Sequence, residues 1–213
     1  MREAENVKQT YVITIGRETG SGGGFIGHEV ARRLGIECYD KRLIEMACRD
    51  GGVDLEFMKR AEEKKANPFL YSIPREYQNE KTGRGIPVND MVFNLESKII
   101  EQLAEKESCV IIGRCADYVL RDKREVYSVF VFSDMESRAK WISRTRSLPY
   151  EQAAELIKRE QRDRKKYYEY YSGKRWGEKE SYHMCLDSGK IGQEFCVEII
   201  CSLFCRMADT ESY

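Results

Sequence analysis

Between Ile15 and Gly27 the chain reads IGRETGSGGGFIG, with five glycines in the nine residues from Gly16 to Gly24. Without a Cβ, glycine lets a loop bring its backbone N–H groups close to an anion and take positive φ where the arc requires it. A long glycine arc between a strand and a helix suits phosphate oxygens, because converging N–H groups and the helix N-terminus both favour negative charge. Gly20, Ser21, Gly22, Gly23 and Gly24 are the candidate phosphate contacts. Two other readings stay open. Gly22-x-Gly24-x-x-Gly27 matches the dinucleotide-binding fingerprint, and Asp40 lies 18 residues beyond its first glycine. Spacing speaks against this, since six residues separate Ile15 from Gly22. The other is a structural turn without ligand. As a phosphate loop the segment is irregular. Such loops usually end Gly-Lys-Ser/Thr, with Lys reaching the β- and γ-phosphates and the hydroxyl holding Mg²⁺. Here those positions are Gly23, Gly24 and Phe25. Arg17, Thr19 and Ser21 are the groups within the loop able to compensate.

Two further sets of residues could do phosphate chemistry. Gly113-Arg114-Cys-Ala-Asp117 directly follows an apolar run, Ser108-Cys-Val-Ile-Ile112. Ligands of parallel sheets bind beyond the carboxyl ends of the strands, which sets Arg114 beside the glycine loop as a candidate for an acceptor phosphate. Asp117 would hold a metal, a water or that arginine. The plainer alternative is that Arg114 caps a helix or pairs with a surface acid. From Lys158 to Arg175 there are eight basic and three acidic residues. In a chain with 36 basic and 36 acidic side chains this concentration calls for a cause. A solvated helix face laced with i,i+4 pairs is one account. Arginines closing over a transferring phosphoryl group is the other, since guanidinium forks match phosphate geometry. Tyr167, Tyr168, Tyr170 and Tyr171 beside these charges could stack nucleobases or pack against the body.

These groups need a scaffold, and the rest of the chain describes one. Tyr11–Ile15 reads as a buried strand, Phe25–Leu34 as a helix closed by Gly35, and Ile36–Tyr39 as a second strand ending at Asp40, a βαβ unit. Helical pattern runs over Lys41 to about Asn67. Pro68 to Asn89 reads as a long loop or insertion, followed by a helix over Met91–Glu105. Strands are expected at Ser108–Ile112, Val126–Phe132 and Met184–Leu186, and helices at Met135–Arg146, Pro149 to about Tyr171, and Gln193–Cys205. The fold class is α/β: a three-layer α/β/α sandwich on a five-stranded parallel sheet. The 213 residues suffice for one domain with a real core. Zero net charge argues against general attraction to nucleic acid or anionic membrane, so neither is an expected partner. No apolar run is long enough to span a bilayer, and the start lacks a secretory pattern. Eight cysteines without a CxxC pair, beside two histidines, give no zinc-ribbon spacing. Core packing, free thiols and a reducing cytoplasm are expected, with no side-chain metal site.

Taken together, YVITIGRETGSGGGFIG, YDKRLIE, CVIIGRCADYVL, RDRKKYYEYYSGKRWG and CLDSGKIG resemble the cytidylate kinase-like family, a branch of the P-loop nucleoside monophosphate kinases. The resemblance covers most of the chain. It implies a single kinase-like domain with core segments 10–40, 107–150 and 180–208, an acceptor-binding insertion at about 41–106 and a helical lid at about 151–179. It also implies transfer of the γ-phosphoryl group of MgATP to a small-molecule acceptor, CMP or dCMP, by in-line attack. By resemblance the Gly20–Gly24 loop holds ATP phosphates, Arg114 takes the acceptor phosphate, and Arg162, Asp163 and Arg164 form the closing lid; Arg17, Arg162 and Arg164 are the candidate catalytic residues. Asp40, Arg42, Arg114, Asp117 and Asp163 serve the acceptor side. The sequence departs from ordinary cytidylate kinases at the absent loop lysine and hydroxyl, and at Lys41-Arg42-Leu43 after Asp40. The alternative it leaves is a nucleotide-binding regulatory protein with weakened turnover.

Overall fold

A computed structural model describes residues 9–40, 42–52, 54, 87–123 and 125–209. The strands are β1 (Val12–Arg17), β2 (Glu37–Tyr39), β3 (Cys109–Ile112), β4 (Val126–Phe132) and β5 (Met184–Asp187). All pair in parallel in the order β2-β3-β1-β4-β5, with Ile15 opposite both Ile112 and Val129. Their sequences are almost continuously apolar because both faces are covered. Alternate residues point opposite ways. Val12, Cys109 and Ile111 face one core, and Ile13, Ile15, Val110 and Ile112 face the other.

Helices α1 (Gly23–Leu34) and α8 (Gln193–Asp209) cover the second face through Ile26, Val30, Val197 and Ile200. Helices α2 (Arg42–Gly51) and α3 (Val88–Lys106) cover the first through Leu43, Ala47, Met91, Leu95 and Ile99. Beyond β4, α5 (Met135–Arg146) and the 23-residue α6 (Tyr150–Ser172) pack on each other through Ala139, Ile142, Ala153 and Ile157. The sequence shows why each helix starts and stops. Asp134 caps α5 by accepting from the Ser137 N–H at 2.9 Å, and Gly35 and Gly173 close α1 and α6 in the left-handed conformation. Pro149 fixes the entry to α6.

The expected three-layer sandwich and five-stranded sheet are therefore the observed architecture. Three short elements were not foreseen: α4 (Ala116–Val119), α7 (Ser188–Ile191) and a 3₁₀ turn at Lys179–Ser181. Most of the expected insertion, including the long loop, lies outside the described residues. All the described cysteines are free, and no group of three metal-ligating side chains occurs among the described residues. No described helix is long and apolar enough to cross a membrane.

Candidate active site

The carboxyl ends of β1 and β3 lie side by side, and each delivers an arginine. Arg17 ends β1; its side chain lies across Gly113, where any β-carbon would collide with the Arg17 Nη1. The φ of 75° at Gly113 favours glycine, and a side chain there would also displace the Arg17 guanidinium. Arg114 and Cys115 follow at φ 58° and 52°. Two consecutive non-glycine residues in the left-handed region cost roughly 1–3 kcal/mol each, and such strain collects where geometry serves function. Here it turns the chain sharply off β3 and keeps Arg114 at the sheet's end instead of letting it start a helix.

A third guanidinium arrives from α6, whose inward stripe is Ile157, Gln161, Arg164 and Tyr168. The Arg164 Nη1 donates to the Arg17 carbonyl at 3.3 Å. The three arginines have carboxylates nearby: Arg17 has Asp40 at 3.5 Å, Arg114 has Glu96 at 3.2 Å and Arg164 has Glu160 at 3.9 Å. Burial, followed by repulsion from Arg164, brings the Arg17 pKa down to about 9. Burial likewise lowers that of Arg164. Three guanidinium groups this close repel one another, and an anion bound among them would relieve that repulsion.

The glycine loop adjoins this cluster but is braced from outside. Glu18 accepts from the Ser133 N–H at 3.2 Å and from the Gln161 Nε2 at 2.7 Å. Gln161 Oε1 accepts from the Thr19 N–H at 3.2 Å and from the Arg138 Nη1 at 3.1 Å. The Ser21 hydroxyl donates back to the Glu18 carbonyl at 3.0 Å, and Ser188 donates to the Ser21 carbonyl at 2.7 Å. Thus the first half of the loop is tied to α5 and α6, and Ser21 is 2% exposed. The second half opens α1. Gly22, at φ 77°, is its N-cap without side-chain capping, and no acid occupies the first turn. A β-carbon at Gly24 would meet nothing within 4 Å. The Gly23 N–H donates to the Ser21 hydroxyl at 3.4 Å, and the next first-turn amides have no intrahelical carbonyl to bond.

Of the residues expected from sequence, Arg17, Arg114, Arg164 and Asp40 come together, with Gly20–Gly24 beside them. Arg162 is exposed and on a different face of α6 from Arg164, and Asp163 is half-buried off that stripe. Arg42 is also outside the cluster, pairing with Glu37 at 3.1 Å over the Tyr39 ring. The carboxylate of Asp117 accepts from the Tyr168 hydroxyl at 2.7 Å, and burial raises its pKa. That contact fastens α4 to α6 and gives Asp117 a different partner from those expected. Three of the four tyrosines pack against the body: Tyr168 is buried, Tyr171 stacks on Phe93 at 4.1 Å, and the Tyr167 hydroxyl is sealed from solvent with no hydrogen-bond partner among the described residues. Burial and the nearby Glu96 push the Tyr167 pKa up.

Glu96, Glu18, Arg138 and Gln161 were missed from sequence. Glu96 did leave a signal. It occupies the position of an apolar residue between Val92 and Ile100 on the buried stripe of α3, and a carboxylate buried there requires a cation.

Among solved structures, an uncharacterized protein from Eubacterium ventriosum matches with a TM-score of 0.68 at 23% identity, covering 92% of this chain and 98% of that one. Shikimate kinase from Bacteroides thetaiotaomicron matches with a TM-score of 0.52 at 12% identity, covering 91% and 97%. At these identities both speak for the fold alone. No curated protein matches the chain. A model of the cytidylate kinase-like family matches residues 12–190, which takes in every strand, the glycine loop and all three converging arginines. The chain therefore belongs to the cytidylate kinase-like family.

Proposed function

We propose that the protein is a kinase-type phosphotransferase that moves the γ-phosphoryl group of ATP to a nucleoside monophosphate, CMP or dCMP being the expected acceptors. The observation that carries this reading is the convergence of Arg17, Arg114 and Arg164 on the carboxyl ends of β1 and β3, one helix start away from a glycine loop. An acceptor phosphate oxygen is already anionic at neutral pH, so the reaction needs no general base. The work left to the protein is positioning and charge neutralisation. In this reading Arg114 holds the acceptor phosphate. Arg17 stands in for the missing loop lysine, and Arg164 reaches the transferring group from α6. Segment 151–179 acts as lid and about 41–106 as acceptor-binding insertion.

The donor's phosphates fit the uncapped start of α1, where amides face an acid-free first turn. For Mg²⁺ the protein side does not fit. Gly24 occupies the usual lysine position and Phe25 the hydroxyl position, the Ser21 hydroxyl donates to the Glu18 carbonyl, and the described acids form no cluster of three. The metal is therefore assigned to the triphosphate and to no side chain among the described residues.

The second reading is a fold that retains nucleotide binding with weakened turnover, motivated by the absent loop lysine. A coupled assay of ADP release, run across CMP, dCMP, UMP, AMP and GMP with MgATP, decides between the two. Acceptor-dependent ADP with a preference for CMP or dCMP supports the kinase. ATP binding without acceptor-dependent ADP establishes the regulatory reading.

A further inference from the structure

Helix α6 has two faces of opposite chemistry. Its inward stripe of Ile157, Gln161, Arg164 and Tyr168 meets the body, while Lys158, Arg159, Arg162, Lys165 and Lys166 are all exposed. At 3.6 residues per turn these five cations lie within an arc of about 120° and along roughly 12 Å of helix axis. Lys158, Arg159, Arg162 and Lys166 have no ion pair among the described residues, and Lys165 has Glu169 at 3.9 Å. The nearby acids leave the row uncompensated. Glu160 turns to Arg146 at 2.8 Å and Arg164 at 3.9 Å, and Glu155, one turn before Arg159, forms no ion pair with it.

Such a row costs the helix stability. Lys158 and Arg162, and Arg162 and Lys166, are like charges four residues apart, the spacing at which they repel. A solvated face laced with i,i+4 pairs would show the reverse pattern. Lys165 also lines a cleft of about 530 Å³ at the far end of α6, together with Glu169, Lys174, Arg175, Trp176 and Glu178. Its two acids are already engaged: Glu169 lies by Lys165, and Glu178 pairs with Arg175 at 3.2 Å. The Trp176 ring is anchored edge-on against Phe130, with centroids 5.5 Å apart. A row of cations thus leads into a cleft with an indole in its wall.

We propose that the outward face of α6 and this cleft bind single-stranded nucleic acid, with phosphates on the cation row and a base against Trp176. A basic track beside an aromatic side chain is the chemistry of sequence-tolerant strand binding. Zero net charge argues only against a general attraction, whereas a local row acts within a Debye length, about 8–10 Å at ordinary salt. An anionic bilayer fits less well. Helices that lie on membranes present an apolar face beside the basic one, and the apolar residues Ala153 and Ile157 of α6 are buried on α5. An acidic protein surface would use the cations and leave the indole without a role. The face points away from Arg17, Arg114 and Arg164, so this site stands or falls independently of the kinase reading.

The test titrates a short fluorescein-labelled oligouridylate with the whole chain by anisotropy, with excess pyrophosphate present to occupy the arginine cluster. Binding is expected with a slope of log Kobs against log salt of roughly −3, the value for four to five neutralised phosphates. Replacing Lys158, Lys165 and Lys166 together by Glu should weaken it at least about tenfold. Should that variant fold poorly, the triple Gln variant removes the same charges without reversing them and should flatten the slope by about 2. In a Trp141→Phe background, where Trp176 is the sole tryptophan, oligouridylate should quench its emission. No binding, binding abolished by pyrophosphate, or binding intact in the triple variants would overturn the proposal. So would equal affinity for polyglutamate of matched charge, or tighter binding to phosphatidylserine vesicles, which would make the face a site for an acidic protein or a membrane.

Discussion

The Arg114 guanidinium lies 3.2 Å from the carboxylate of Glu96, a residue 1% exposed on the inner stripe of α3. Burying a carboxylate costs several kcal/mol unless a cation or donors compensate, so the pair restrains both partners. Arg114 needs that restraint, since its own backbone is held at positive φ. In the proposed reading Glu96 is accordingly a positioning residue. Glu96→Gln should raise the acceptor KM about tenfold while changing kcat less, because the guanidinium stays but its aim is lost. Arg114→Ala should weaken acceptor use at least as much. A steady-state KM-against-kcat comparison checks both, and an unchanged acceptor KM in Glu96→Gln would refute the positioning role.

On α6, geometry ranks two arginines that spacing alone could not. Arg164 bonds the Arg17 carbonyl, whereas Arg162 is exposed on another face. Arg164→Ala should lower kcat by tenfold or more, corresponding to roughly 1.4 kcal/mol or more of lost transition-state stabilisation. Arg162→Ala should cost less than about threefold. The reverse order in single-turnover kinetics would show that α6 rotates or unwinds in the reacting complex.

Asp117 yields a prediction about pH. Its carboxylate is buried with a raised pKa, mainly through desolvation, while the Tyr168 hydroxyl partly compensates. Above the ordinary aspartate range the folded protein thus holds more of this proton than the unfolded chain does. Stability consequently falls as pH rises through the folded value, and the penalty is complete above it. Asp117→Asn keeps an acceptor for Tyr168 and removes the buried charge. It should match or exceed the wild-type Tm at pH 7, with the difference vanishing in acid. Thermal scans between pH 4 and 8 would check this. A neutral-pH loss of stability, or a collapse of acceptor affinity, would restore Asp117 to the substrate side.

The strands were legible because both faces of the sheet are buried, leaving unbroken apolar runs at Val12–Ile15, Cys109–Ile112 and Val126–Phe132. Arg17 and Arg114 were legible for a related reason: each sits at the carboxyl end of such a run. The facing of α6 was not. Eight cations in that stretch are interchangeable in sequence, and only its packing on α5 through Ala153 and Ile157 decides that Gln161 and Arg164 point inward. The brace from Glu18 to Gln161 joins residues 143 positions apart, beyond the reach of local spacing. Phe25 failed in another way. Read only as a missing hydroxyl, it gave no hint of Trp141, which is brought beside it by the crossing of α5.

Arg17 offers the most direct test of function against stability. Its charge is half-buried, faces two other guanidinium groups and has Asp40 at 3.5 Å, so at neutral pH the cluster carries an electrostatic penalty. With the pKa brought down to about 9, the folded protein holds fewer protons than the unfolded chain above that pH. The penalty is therefore complete below about 9 and relieved as pH rises beyond it. Arg17→Met should raise the Tm of the ligand-free protein at pH 7 by a few degrees, because Asp40 is partly exposed and can be hydrated alone. The gap should narrow in alkali. The same variant should lose most of the thermal stabilisation that wild type gains from pyrophosphate, since a bound anion stabilises only where the cation cluster is intact. Differential scanning calorimetry with and without pyrophosphate measures both. A variant that is less stable without ligand yet equally stabilised by pyrophosphate would make Arg17 a structural arginine and leave the glycine loop without its substitute cation.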